Sequence, residues 1–401
     1  MKILFLSDNF FPEVNAPANR TFEHARYWAS FGAEVVVLTG IPNFPKGKPF
    51  AGYKNKWRQE ETIEGIKVIR VWTYMSENKW FLRRTLDYLS YAVMAVWIGK
   101  NIKTDIIIAT SPQMFSAMAG HILSRLLKKP WIMEVRDIWP ESISAVGAVK
   151  NLHIIRFLEY IEKKLYKSAS SIVVVTASFR ENLISKKVIP EKIHVVKNGV
   201  ELTKFIPGKP DLKLKQKLGL ESKVVVSYFG THGMAHGLDF VLQAVKGLNI
   251  PDIQFLFVGD GAEKEHLVLL TKTLGLNNII MLPSVSKEEI ISYLKITDIA
   301  LVCLKRNDTF KSVIPSKIFE NAAMGIPVLL GVEGESAALI ESYQAGECYI
   351  PEDEGDFKDK LLQIISNRRN YKAGCLNLAR DFDRSLLAGK MYEVIIQTIK
   401  G

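Results

Sequence analysis

Val224-Val225-Val226-Ser227-Tyr228-Phe229-Gly230-Thr231-His232-Gly233-Met234-Ala235-His236-Gly237-Leu238-Asp239 is the stretch from which the fold can be read. A near-continuous apolar run gives way to three glycines within eight residues, and a helical pattern follows. Such a run reads as a strand buried on both faces, hence a parallel sheet with helices on each side. Glycines at a strand-to-helix junction let backbone N–H groups approach an anion at the helix N-terminus. Contact with a phosphate and a plain loop position fit His232 and His236 equally. Phe257-Val258-Gly259-Asp260-Gly261 repeats the arrangement after the next strand.

The alternation extends in both directions. Downstream, strands read at Phe255–Val258, Ile279–Leu282, Ile299–Leu304 and Pro327–Leu330. Upstream they read at Ile3–Ser7, Val35–Thr39, Ile66–Val71, Ile106–Thr110, Trp131–Val135, Ile172–Thr176 and His194–Lys197. Between the two series the pattern lapses over 202–222, which carries two prolines and several lysines and reads as a linker. The expectation is an α/β fold of two Rossmann-like doubly wound domains, 1–205 and 206–383, facing a central cleft. Open parallel sheets bind ligands beyond the carboxyl ends of their strands.

Length suggests about two or three domains of ordinary size. The chain has 401 residues, 48% hydrophobic and 24% charged, which excludes disorder. Cys303, Cys348 and Cys375 form an odd, widely spaced set, which excludes a disulfide scaffold and fits a reducing cytoplasm. The run from Met1 is strand-like rather than a leader, and Tyr88–Gly99 is shorter than the roughly 20 residues a membrane span needs. The expectation is a soluble or peripheral protein. Residues 1–205 hold 30 basic and 18 acidic side chains (+12), and residues 206–401 hold 23 and 24 (−1). The first half therefore expects a negatively charged partner.

The residues after each strand carry the chemistry. Ser7 to Asn19 is a long loop without glycine, which argues against a dinucleotide site. It is either a plain connection or a polar lining of the cleft, with Asn15 and Arg20 its best members. Glu134-Val135-Arg136-Asp137-Ile138-Trp139-Pro140-Glu141-Ser142 puts opposite charges at a strand tip. These either pair among themselves (Arg136 with Asp137 or Glu141) or face substrate. Asn198-Gly199 marks a sharp turn. Val313-Ile314-Pro315-Ser316-Lys317-Ile318-Phe319-Glu320 reads as a helix start with Ser316 as N-cap. There Lys317 favours an anion, and Glu320 is placed either to accept two ribose hydroxyls or to compensate the dipole.

These residues in this order resemble glycosyltransferase family 4, retaining enzymes of the GT-B architecture, over essentially the whole chain. The likeness is nearest to the bacterial surface-polysaccharide subgroup of fucosamine-transferase-like enzymes (the WbuB type). It rests on Ser7 to Glu13, Arg136 to Ser142, Asn198-Gly199-Val200, Gly230 to Asp239, and Pro315-Ser316-Lys317 with Phe319-Glu320. The resemblance implies an acceptor-binding first domain and a donor-binding second domain, with a last helix, about 384–401, crossing back to the first.

It further implies a nucleotide-sugar donor, a UDP-sugar of an N-acetylated amino or deoxyamino hexose. Its contacts would be Asn15, Gly230, Thr231, His232, Gly233, Gly259, Leu282 (base edge), Val313, Ile314, Pro315, Ser316, Lys317 (diphosphate) and Glu320 (ribose). Arg136, Asp137 and Lys317 would be catalytic. The implied activity is hexosyl transfer to a glycan or polyprenyl-diphosphate-linked acceptor in O-antigen or capsule biosynthesis, without a metal. Four positions depart from the family pattern. Ser312 stands where a glutamate is common, Thr231 and His236 stand for the phosphate-loop Arg and Lys, and Arg136 stands for a histidine.

Asp381-Phe382-Asp383 has an Asp-x-Asp form but reads as a turn or cap rather than a metal site. The segment Trp80-Phe81-Leu82-Arg83-Arg84 with Tyr88 to Trp97 suits either a buried helix or contact with an anionic membrane on its cytoplasmic face. Nucleic acid fits poorly, because the basic residues are scattered. Two rival functions share the fold: a nucleotide-sugar epimerase, and an inactive partner subunit of a polysaccharide-assembly complex.

Overall fold

The computed structural model describes residues 1–44, 46–75, 81–111, 114–145, 151–248, 250 and 252–401. Trp80, named above in the segment that suits either a buried helix or membrane contact, lies outside them. The chain forms two compact units, Met1–Asn198 with Arg384–Gly401, and Gly199–Asp383.

In the first unit the strands are β1 (Lys2–Leu6), β2 (Glu34–Gly40), β3 (Arg58–Ile63), β4 (Ile66–Val71), β5 (Ile106–Thr110), β6 (Trp131–Val135), β7 (Ser171–Val174) and β8 (Ile193–Val195). They lie in the order β3-β4-β2-β1-β5-β6-β7-β8, parallel except for the β3–β4 hairpin. The strand β3 escaped the sequence reading. Its sequence RQEETI carries no apolar run, because an edge strand exposed on alternate residues needs none. The order reverses between β1 and β5, so the loops after them flank a switch point.

Helix Ala16–Ser30, about four turns long, starts directly from the loop after β1. Asn15 caps it, accepting from Ala18 N–H at 2.9 Å, and Ala18, Phe22, Ala25 and Trp28 bury its inner face. The last helix, Arg384–Lys400, packs on the same unit. Trp28 Nε1 donates to the Ala388 carbonyl (3.1 Å), Arg384 reaches Glu23 (3.0 Å), and Phe31 meets Tyr392 edge-on.

The second unit contains β9 (Val224–Phe229), β10 (Ile253–Val258), β11 (Ile279–Leu282), β12 (Ile299–Cys303), β13 (Val328–Gly331) and β14 (Gly346–Cys348), all parallel. Their order, β11-β10-β9-β12-β13-β14, places the switch point between β9 and β12. The glycine loop after β9 therefore stands at the position where such sheets bind ligands. Residues 199–205 belong to this unit rather than to the first. Val200 N–H donates to Phe382 carbonyl (3.0 Å), and Leu202 and Phe205 pack on the second core. The stretch read as a linker also contains a short helix, Leu212–Lys217, capped by Asp211.

Candidate functional site

Two loops of the second unit are locked together at the carboxyl ends of β9 and β10. Gly230 N–H donates to Val258 carbonyl (2.9 Å) and His232 N–H to Asp260 carbonyl (2.8 Å). A Cβ at Gly259 would lie 1.8 Å from the Gly230 oxygen, and one at Gly261 would lie 2.4 Å from the His232 oxygen. Only glycine admits that approach.

The cations converge on this loop pair. Lys317 opens helix Lys317–Ala323 and donates to the Tyr228 hydroxyl (3.1 Å), with its ammonium 4.3 Å from the ring centroid. Burial drives its pKa down to about 8, opposed by the charges of Cys303 and Glu320. Lys264, at the start of helix Lys264–Thr273, donates to the carbonyls of Gly259 (3.2 Å) and Leu282 (2.7 Å). Between them lies His232, fully buried, with neither ring nitrogen hydrogen-bonded. Burial first, and then Lys264 and Lys317, push His232 down to about 4. His236 is held at about 4 by burial and by Lys317. Both imidazoles are thus neutral at pH 7, and the two lysines carry the positive charge.

The structure therefore brings together Gly230, Thr231, His232, Gly233, Gly259, Leu282 and Lys317. Thr231 is exposed, and its carbonyl accepts from Tyr228 (2.7 Å). Leu282 offers no free carbonyl, because Gly259 N–H (3.2 Å) and Lys264 both use it. Ser316 holds the N-cap position expected from sequence but does not cap the helix with its side chain. Its backbone is already helical (φ −59°, ψ −25°), so its hydroxyl makes no capping bond and stays available. Val313 has both backbone groups engaged, N–H to Phe310 (3.1 Å) and carbonyl from Ser336 (2.6 Å). Ile314 is buried, Pro315 and Glu320 are half-buried, and the charge of Glu320 acts on Lys317. Ser312 turns its hydroxyl onto the Thr309 carbonyl (2.9 Å). Lys264 was missed by sequence reasoning. Its only signal is its position, three residues after Gly261, in the first turn of the following helix.

In the first unit, Arg20 is a structural tie rather than a lining residue. It is 1% exposed and donates to Glu134 (2.8 Å), Lys197 carbonyl (2.9 Å), Asn198 (3.2 Å) and Val196 carbonyl (3.0 Å). Burial works to raise the Glu134 pKa, but Arg20 and Arg136 outweigh it and keep the carboxylate ionised. Asn15 is likewise committed, to the cap and to Asn9 (2.7 Å).

Arg136 donates to Ala16 carbonyl (3.3 Å), while its Nε and Nη1 are buried without a hydrogen-bond partner. Burial lowers its pKa to about 9 despite Glu134, and Arg20 and Arg384 add to the shift. Glu141 is taken by Lys186 (2.9 Å) and Asn182 (3.1 Å), which removes it as the expected ion-pair partner of Arg136. Asp137 is raised above the usual carboxylate value by burial, opposed by the Ser142 hydroxyl.

Among the described residues no group of three His, Cys, Asp or Glu side chains is arranged to hold a metal ion. Asp381 and Asp383 are used structurally: Asp381 accepts from Tyr343 (2.6 Å), and Asp383 bridges to Val200. No helix among the described residues is long and apolar enough to cross a membrane.

Residues 15–199 match the glycosyl transferase 4-like domain, and residues 211–381 match the glycosyl transferases group 1. The chain is 26% identical to the putative colanic acid biosynthesis glycosyl transferase WcaI of Escherichia coli, over 88% of this chain and 89% of that protein. It is 29% identical to the putative teichuronic acid biosynthesis glycosyltransferase TuaH of Bacillus subtilis, over 64% of each. In fold it is similar to HepE of Anabaena, a structure in complex with UDP (TM-score 0.73, 17% identity, 99% of this chain and 100% of that one). The lipopolysaccharide glycosyltransferase WaaG is also similar (TM-score 0.71, 15% identity, 98% and 99%). The architecture is GT-B, and between them the two domain matches span most of the sequence. The chain belongs to the glycosyltransferases, with a 4-like domain in its first half and a group 1 domain in its second.

Proposed function

We propose that this glycosyltransferase moves a sugar from a UDP-sugar to a glycan or polyprenyl-diphosphate-linked acceptor in bacterial surface-polysaccharide biosynthesis, with retention of anomeric configuration. The observation that carries the donor reading is the convergence of Lys317, Lys264 and glycine-backed loops at the switch point of the second sheet. Polysaccharide synthesis is supported by the relatives WcaI and TuaH, and UDP by HepE. The fucosamine-type donor remains part of this proposal on sequence resemblance alone.

In this account the acceptor hydroxyl oxygen bonds to the anomeric carbon on the face that the diphosphate leaves. The carbon–oxygen bond to the β-phosphate breaks, and the hydroxyl proton passes to a departing phosphate oxygen. No protein nucleophile is required. Charge accumulating on the diphosphate is met by Lys317 and Lys264, and by N–H groups of the Gly230 loop and the Ser316–Lys317 turn. Such pre-aimed groups act most strongly where charge develops. Glu320 would hold the ribose. Arg136 and Asp137 would act from the first unit, which the proposal takes as the acceptor side.

That unit also presents a stripe of exposed Leu86, Leu89, Val93 and Trp97 on helix Phe81–Gly99, with exposed Arg83, Arg84 and Lys100 beside it. Apolar residues flanked by cations suit peripheral contact with an anionic bilayer at the cytoplasmic face. The test is a panel of UDP-sugars incubated with chelator present and followed by NMR. Release of UDP with an α-configured product from an α-linked donor is expected. Inverted product, or an interconverted sugar still attached to UDP, contradicts the reading.

A further inference from the structure

The first unit carries a second, unabsorbed feature at the β3 edge of its sheet. Trp72 N–H donates to Trp57 carbonyl (3.4 Å), extending by one pair the register that joins Arg58 to Val71. Directly opposed residues of an antiparallel pair share a face. The two indoles therefore emerge on the same face of the sheet edge, Trp57 58% and Trp72 38% exposed. Phe44, 40% exposed, follows β2 at the same end of the sheet, which is the carboxyl end of its parallel strands.

Polar clamps fix the backbone on either side of these aromatics. Glu13, 3% exposed, accepts from the N–H groups of Asn43 (2.9 Å) and Phe44 (2.8 Å). Arg70, 1% exposed, donates to Phe11 carbonyl (2.5 Å) and stacks on Tyr53 at 4.8 Å. Asn55 bonds the Thr73 backbone in both directions (2.8 and 3.3 Å). Aromatic side chains with few rotatable bonds on a fixed backbone have little entropy left to lose on binding.

The segment leading into β3 carries charge of one sign, and the first acidic side chains beyond it, Glu60 and Glu61, are paired with Arg58 and Lys67 and with Arg70. No acidic residue occurs from position 35 to 59, while Lys46, Lys48, Lys54 and Lys56 in that segment are all exposed. We propose that the Trp57–Trp72 pair with these lysines is the platform for an acidic saccharide chain. Pyranose C–H faces would pack on the indoles, and carboxylates or phosphates of the chain would meet the lysines. The inference deepens the proposed function by giving the acceptor a chemical class, and it rests on the first unit being the acceptor side. A saccharide is favoured over a bilayer because the aromatics sit on a clamped sheet edge at the ligand-binding end, not on an amphipathic helix.

The test is calorimetric titration of the full chain with an oligogalacturonate hexamer, with maltohexaose, and with vesicles of equal parts phosphatidylglycerol and phosphatidylcholine. UDP binding is measured in the same preparations. The expected result is oligogalacturonate binding stronger than maltohexaose binding and weakened by added salt. Trp57→Ala and the double variant Lys54→Ala/Lys56→Ala should each weaken it by about five-fold, with UDP affinity unchanged. Equal binding of the two saccharides, no saccharide binding, or indifference to both variants overturns the proposal. Vesicle binding that needs Trp57 without saccharide binding also overturns it and makes the edge a membrane contact. Loss of UDP binding in the unaltered protein would instead overturn the donor reading.

Discussion

The ammonium of Lys317 lies 3.1 Å from the Tyr228 hydroxyl and 4.3 Å from the centroid of the same ring. Gly230 makes the space: a Cβ there would stand 2.3 Å from that ammonium. The end of β9 thus holds the cation that opens helix Lys317–Ala323 beside the glycine-backed backbone.

Gly230→Ala should therefore act much as Lys317→Ala does. The displaced group is the far end of a flexible chain, so the fold should survive, at about 1–3 kcal/mol for alanine at φ +131°. Turnover should fall by about 100-fold in either variant. Steady-state rates alongside thermal melts check this, and a folded Gly230→Ala protein with full turnover would contradict it.

The depressed Lys317 gives a pH dependence. Its folded value of about 8 lies below the ordinary 10.5, so the unfolded chain binds more protons between them. This group's contribution to stability accordingly rises with pH across that window and is lowest below it. Binding of a diphosphate runs the other way, because the anion favours the charged lysine. UDP affinity should decline above about pH 8, and titrations at pH 7 and 8.7 should show a steeper decline in the natural chain than in Lys317→Met.

Two arginines of the first unit should behave oppositely. Arg20→Met leaves Glu134 buried without its partner, at a cost of about 3–5 kcal/mol. Arg136→Met removes a guanidinium whose Nε and Nη1 have no hydrogen-bond partner, so stability should hold or rise slightly. Turnover of Arg136→Met should nonetheless drop if its charge serves the reaction. Chemical denaturation of both variants, with rates for the second, decides it.

Ser316→Ala should be nearly neutral for stability, within about 0.5 kcal/mol, because no capping bond is lost. Losing a side-chain capping bond would cost about 1 kcal/mol. A weakened UDP affinity in the same variant would place the free hydroxyl on the ligand.

The parallel strands were legible because each is apolar on both faces, from Ile3–Leu6 through Leu329–Leu330. Strand β3 was not, since alternate exposure at an edge leaves a polar sequence, and β14 is only three residues, Gly346–Cys348. Glycines at Gly230 and Gly259 could be picked out as a strand-end pattern. What they accommodate, the backbone of one loop against another and the Lys317 ammonium, depends on strands adjacent only in space. Arg20 shows the same limit. Its partners at Glu134 and Val196 lie over a hundred positions away, and nothing local distinguishes a buried tie from a ligand contact. Lys264 was overlooked because a lysine in a first helical turn is ordinarily a solvated one.

The most direct test of the account is the thermal shift produced by UDP, beside GDP, ADP and CMP, with and without chelator, in the natural chain and in Lys317→Ala. At about 100 times its dissociation constant UDP should stabilise by about 2.7 kcal/mol, independently of chelator, and the shift should shrink in the variant. No shift with UDP, or one that chelator abolishes or Lys317→Ala leaves intact, would contradict the donor site described for the second unit.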